Sequence, residues 1–195
     1  EHVREEFGHA VRVVLNGGDC KIGVESTIVS CHEDVPRILR PGGITYSQLR
    51  EVVGNIEELP GASSPRVPGS DSRHYAPATP LRPVKSRQLE EILKQLTDDH
   101  QKIGVLAMRP PRLANRFMTW INAGSRADAY TREFYTHLRT LDRSDVVEIL
   151  VEEIPSGENW DAVRDRLFRA SSTRDPHYVD PDIAALRADF GEDVI

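Results

Sequence analysis

The sequence predicts an α/β fold, and three features carry that reading. From residue 81 onward, short apolar runs alternate with amphipathic stretches. Residues 81–84 precede Leu89, Ile92, Leu93 and Leu96; residues 103–108 precede Ala127, Tyr130, Phe134, Leu138 and Leu141; residues 146–151 precede Trp160, Val163, Leu167 and Ala170. The second member of each pair has the three-to-four spacing of a helix face. Strands that alternate with helices are joined by right-handed crossovers and pair in parallel. Residues 146–151 also show little polar alternation, as a strand covered on both faces does. Composition divides the chain into a β-branched unit at 1–54, a connection at 55–80, the alternating domain at 81–172 and a polar, acidic tail at 173–195 with one short helix at 181–190.

In the first unit, Val11, Val13, Val14 and Leu15 predict a strand that ends in the turn Asn16-Gly17-Gly18-Asp19. Two more strands follow, at 24–30 and 36–40. Thr45 and Gln48 have capping-box spacing and open a helix whose apolar face is Leu49, Val52 and Val53, with Gly54 as its stop. The connection is rich in Pro, Gly and Ser, yet it also holds Arg66, Asp71, Arg73, His74 and Tyr75. A plain spacer needs none of these, and an ordered loop of this length reads as a lid.

Bulk properties exclude several classes. With 25 Lys+Arg against 31 Asp+Glu the net charge is −6, so non-specific nucleic-acid binding lacks its positive field. No run approaches the ~18 apolar residues of a membrane helix. Cys20 and Cys31 are too few for a disulfide framework or metal knuckle and read as reduced thiols of a cytoplasmic protein. The histidines lack metal-ligand spacing, and neither a Walker A loop nor Gly-x-Gly-x-x-Gly occurs.

Three motifs carry candidate chemistry. In Glu25-Ser26-Thr27 the two hydroxyls suit a carboxylate, hydroxyl or phosphate of a ligand; equally, Ser and Thr pair with nearby backbone. No nucleophile elbow surrounds Ser26, so it is not read as a hydrolase serine. In Arg40-Pro41-Gly42-Gly43 the guanidinium can fork onto a phosphate and the glycines allow close backbone approach; taken alone, it is also a surface arginine before a turn. In Arg73-His74-Tyr75-Ala76-Pro77 the tyrosine can stack on a base and the histidine can reach a polyphosphate, or Tyr75 simply anchors the connection. The mixed charges from Asp161 to Arg169 read as a solvated helix face.

Taken in series, LNGG, IGVESTIV, ILRPGGIT, PGSDSRHYAP, LRTLD and DRLFRA resemble the two-domain threonylcarbamoyl-AMP synthases over residues 1–172. The resemblance implies the C-terminal part of a YrdC-type α/β catalytic domain, a linker that closes over the active site, and a small Rossmann-like parallel α/β domain. It implies a nucleotidyltransferase that joins L-threonine, bicarbonate and ATP into threonylcarbamoyl-adenylate with release of pyrophosphate. Mg²⁺ would accompany ATP, and the product would pass to the complex that modifies tRNA. By motif, Ser26 and Thr27 would face L-threonine, and Arg40, Tyr75 and His74 would face ATP. The Lys-x-Arg, Pro-Thr-Asp-Thr-like and Ser-x-Asn segments that the family carries ahead of these motifs do not precede them here. The expectation is therefore that the opposite wall of the pocket lies outside this chain, on a separate fragment or a longer polypeptide, and that residues 1–195 alone make no adenylate. The alternative is a non-catalytic nucleotide-binding or regulatory module built on residues 81–172.

Overall fold

The structure, a computed structural model, describes residues 2–18, 20–57, 67, 76–98, 100–112 and 115–171. Arg73, His74, Tyr75 and the tail with its expected helix lie outside the described residues. In chain order the elements are α1 (His2–Phe7), a single 3-10 turn (Gly8–Ala10), β1 (Ile28–Ser30), β2 (Arg37–Arg40), α2 (Tyr46–Val53), β3 (Leu81–Val84), α3 (Leu89–Asp98), β4 (Ile103–Ala107), β5 (Met118–Asn122), α4 (Ala127–Asp142), β6 (Glu148–Glu152) and α5 (Glu158–Ser171).

The α/β class holds. The second half is one parallel sheet in the order β3-β6-β4-β5. The chain leaves β3 through α3, skips one place and enters the sheet as β4. It steps outward to β5 and returns through α4 to insert β6 in the gap. Each face is apolar for its own reason. Leu89 and Leu93 of α3 pack with Val84, Ile103, Val105 and Leu150 on one side. Tyr130, Phe134 and Leu138 of α4 and Val163 and Leu167 of α5 pack with Leu81, Leu106, Ile149 and Val151 on the other. β6 is thus covered on both faces, as its unbroken apolar run requires. Pro83 lacks an amide proton and sits in β3, an edge strand, where no ladder bond is lost on the open side.

The first unit departs from expectation. Residues 11–15 form no strand: Val13 and Leu15 are 72% and 89% exposed. A strand needs a neighbour to take its backbone hydrogen bonds, and among the described residues none lies alongside. Of the turn expected after it, Asp19 lies outside the described residues and residues 16–18 carry no assigned turn, though the Gly18 amide donates to Asn16 Oδ1 at 3.0 Å. The strand expected at 24–30 is confined to β1, which pairs antiparallel with β2, Ile28 opposite Arg40 and Val29 opposite Ile38. Ile56 and Glu57 run along β2 as well, through Ile38 N–H to Glu57 O and Glu57 N–H to Pro36 O. In α2 the capping box is complete, both side chains bonding the other's backbone. Its expected apolar face is not covered: Val52 and Val53 are exposed. β5 was not foreseen; it is a half-exposed edge strand that follows β4 without an intervening helix.

Candidate functional site

Ser26 and Arg40 come together. Arg40 ends β2 as a buried residue, 6% exposed, and its Nε and Nη2 donate to the Ser26 carbonyl at 3.3 and 2.9 Å. The turn after it lies directly on the Glu25–Thr27 backbone. A methyl group at Gly42 would overlap the Thr27 amide nitrogen and the Ser26 carbonyl carbon, so only glycine fits. The two motifs therefore form one wall.

Within that wall the side chains have different roles. The Thr27 hydroxyl is committed to the Ile44 peptide, accepting its N–H at 3.1 Å and donating to its carbonyl at 2.7 Å. This pins β1 to the start of α2. Ser26 is exposed, and among the described residues its hydroxyl has no hydrogen-bond partner. Of the two described hydroxyls flagged in the sequence, Ser26 and Thr27, Ser26 is the exposed one with its bonding capacity open. His74 and Tyr75 lie outside the described residues. The connection re-enters at Ala76, which packs on the core of the parallel domain. The Ala78 and Thr79 amides then donate to the Asp142 carboxylate at 3.1 and 2.7 Å.

The sequence reading missed the other side of this wall. Arg166 of α5, assigned to a solvated face, is 4% exposed. Its Nε donates to Glu25 Oε2 at 2.6 Å, its Nη2 to the Pro41 carbonyl at 3.2 Å, and its Nη1 pairs with Asp165. Tyr135 Oη of α4 donates to both Glu25 oxygens at 3.1 and 3.3 Å. Burial disfavours the Glu25 anion, but the bond from Arg166, its positive charge and the Tyr135 hydroxyl outweigh burial and hold the carboxyl below its usual range. This contact stabilises the fold above the ordinary carboxylate pKa and is lost as pH falls through the lowered value. Gly23 lies against the Arg132 carbonyl of α4 with no room for a side chain. A second polar link joins Ser47 of α2 to Glu158 of α5, amide at 3.0 Å and hydroxyl at 2.7 Å. One carboxylate thereby serves the amino-terminal ends of two helices.

Among the described residues no group of His, Cys, Asp and Glu is placed to hold a metal ion. Glu25, the acid beside Ser26, is already taken by Arg166 and Tyr135. Cys20 and Cys31 are free and exposed. Among the described residues no helix is long and apolar enough to cross a membrane. A cavity of about 630 Å³ lies elsewhere, at the carboxyl ends of β3 and β6, lined by Lys85, Ser86, Ile92, Ser156, Arg164 and Phe168 among others.

Comparison with known proteins places these features in one family. Residues 44–172 match the family described as the C-terminal domain of threonylcarbamoyl-AMP synthase, and residues 1–42 match a family described as telomere recombination. The chain is 30% identical to the threonylcarbamoyl-AMP synthase of Pyrococcus abyssi and 31% identical to that of Bacillus subtilis, in each case over 89% of this chain and 53% of the relative. A crystal structure of P. abyssi Sua5 complexed with L-threonine superposes with a TM-score of 0.74 at 28% identity, again over 89% of this chain and 53% of the other. The chain spans about half the length of the curated relatives it matches. With a parallel domain and a β1–β2 wall that both fall within these matches, the chain belongs to the threonylcarbamoyl-AMP synthase family.

Proposed function

We propose that this chain supplies one wall of the pocket of a threonylcarbamoyl-AMP synthase. The observation that carries the reading is the junction of Ser26, Arg40 and Gly42. Two motifs fourteen residues apart meet as one surface, and it leaves the Ser26 hydroxyl open. The relative of known structure was captured with L-threonine, which supports threonine as the ligand for that hydroxyl.

The chemistry is as follows. The threonine amine bonds to the carbon of bicarbonate and water is lost, giving a carbamate. A carbamate oxygen attacks the α-phosphorus of ATP, the bond to the bridging oxygen breaks, and pyrophosphate leaves. Catalysis of such a step is mainly positioning and charge stabilisation. Ser26 orients threonine, Thr27 fixes the backbone behind it, and Arg40 sets the wall on the ATP side. His74 and Tyr75 belong to the lid that excludes water from the hydrolysable product. Magnesium would arrive on the triphosphate, as it commonly does when phosphates supply its ligands. The product would pass to the complex that modifies tRNA.

The test uses labelled L-threonine with bicarbonate and ATP. The chain alone is expected to give no adenylate. Fused to the amino-terminal half of the P. abyssi relative, it is expected to give adenylate and pyrophosphate. Ser26→Ala in that fusion should raise the KM for threonine about tenfold or more. Turnover by the chain alone would overturn the single-wall reading, and an unchanged KM would remove Ser26 from the threonine site.

One observation favours a second reading, a nucleotide-binding or regulatory module. β3 and β6 are neighbours, yet β3 continues into α3 on one face of the sheet and β6 into α5 on the other. Small ligands bind at such switch points in open α/β sheets, and the 630 Å³ cavity lies there. Nucleotide protection confined to residues 84–88 and 153–157 would favour this reading; protection at residues 26–44 would favour the first.

A further inference from the structure

We infer that Arg166 is a positioning residue for the proposed substrate wall, which makes α5 of the parallel domain part of the synthase machinery. The inference rests on the reading that Ser26 and Arg40 flank the pocket.

Arg166 lies 141 residues beyond Glu25 in sequence and contacts the wall twice. It holds the side chain of Glu25, the residue before Ser26, and the carbonyl of Pro41, the residue after Arg40. Ser26 and Arg40 are therefore each one position from a group that Arg166 fixes. The bridge from α5 runs parallel to the direct bond from Arg40 to the Ser26 carbonyl. A planar guanidinium can make both contacts at once, whereas an ammonium is a point charge.

The surroundings leave little slack. Arg166 is almost fully buried, and a buried charge without partners is costly, so the geometry is held only while Glu25, Pro41 and Asp165 all accept. Tyr135 from α4 fixes the same Glu25 carboxylate from a second helix. Gly23 and Gly42 seat their backbones on α4 and on the Glu25–Thr27 segment respectively, so the wall has no space to settle closer if the bridge is removed. Its remaining freedom is to move away from α5, which carries Ser26 and Arg40 off the position that the bridge holds.

The prediction separates positioning from folding. In the fusion enzyme, Arg166→Gln should raise the KM for threonine and for ATP between about ten- and a hundredfold, with a smaller effect on kcat. Arg166→Lys should recover part of the loss, and Arg166→Gln with Glu25→Gln should be no worse than Arg166→Gln alone, because both remove one bridge. A merely structural role would lower kcat through a smaller folded fraction at unchanged KM; that result, or strictly additive losses, overturns the inference. In the 195-residue chain itself, Arg166→Gln should speed amide exchange at Ile38 and Ile44, whose N–H groups donate to Glu57 O and Thr27 Oγ1, while Val163 and Leu167 keep their protection. Equal loss along α5 also overturns it. Should the wild-type fusion make no adenylate, the proposed function fails, and the exchange pattern still decides whether Arg166 holds the wall.

Discussion

At the scale of single residues, buried polar groups separate two kinds of side chain. Arg166 is buried with each guanidinium nitrogen engaged. Tyr130 is buried completely, and among the described residues its hydroxyl has no partner. Its ring is well used, edge-on to Trp160 at 5.5 Å and stacked with Phe134 at 6.2 Å. Burial, with the Glu152 charge as the lesser cause, pushes the phenol well above its ordinary pKa, so it stays neutral. An unsatisfied buried hydroxyl costs about 1–3 kcal/mol, whereas an apolar group of the same shape costs nothing of that kind. Tyr130→Phe is therefore expected to raise stability by about 1 kcal/mol in denaturant melts. A loss instead would mean that the hydroxyl has found a partner. The same scale shows what the sequence could and could not disclose. Ser26 and Arg40 are flagged by local motifs. Arg166 sits in a charged run that reads as a wet face, and only the fold brings α5 to Glu25.

At the scale of elements, local and non-local signals part company. The capping box of α2 needs only Thr45 and Gln48, and it forms as read. The amphipathic faces of α3, α4 and α5 are likewise set by periodicity, and the residues they bury are mostly the ones the pattern names. Strands depend on neighbours. Residues 11–15 have the β-branched composition but no described strand beside them, and form no strand. Met118–Asn122 carries a weaker signal and becomes β5 because β4 offers an open edge. Removing the local signal alone has a defined effect. Thr45→Ala removes the acceptor for the Gln48 amide and should cost the helix about 1 kcal/mol. Since α2 contributes no fully buried side chain, the cost should appear as faster amide exchange across Tyr46–Val53 with little change in the global melting temperature. A large drop in that temperature would show that the box anchors more than its own helix.

At the scale of the whole molecule, the two halves are stabilised differently. The parallel domain buries apolar side chains on both faces of its sheet. The first unit buries few, chiefly Val24, Ile38, Leu39 and Ile56, and is fastened to the helices by polar links through Glu25 and Ser47. Among the described residues, every exposed large apolar side chain except Val147 lies between Val3 and Val53. A concentration of that kind on one unit favours association. If Leu15 and Val52, at 89% and 84% exposed, take no part in intramolecular packing, then Leu15→Ser with Val52→Ser removes apolar surface that the folded chain does not use. The melting temperature of the dilute protein should be unchanged, while the mass-average size measured by light scattering across a concentration series should fall. A lower melting temperature would show that these side chains are packed within the chain. An unchanged size series would place any association on another face. Because Arg166 and Glu158 lie on α5, the substitutions leave both polar links intact. The change in association therefore reports on the apolar surface of the first unit alone.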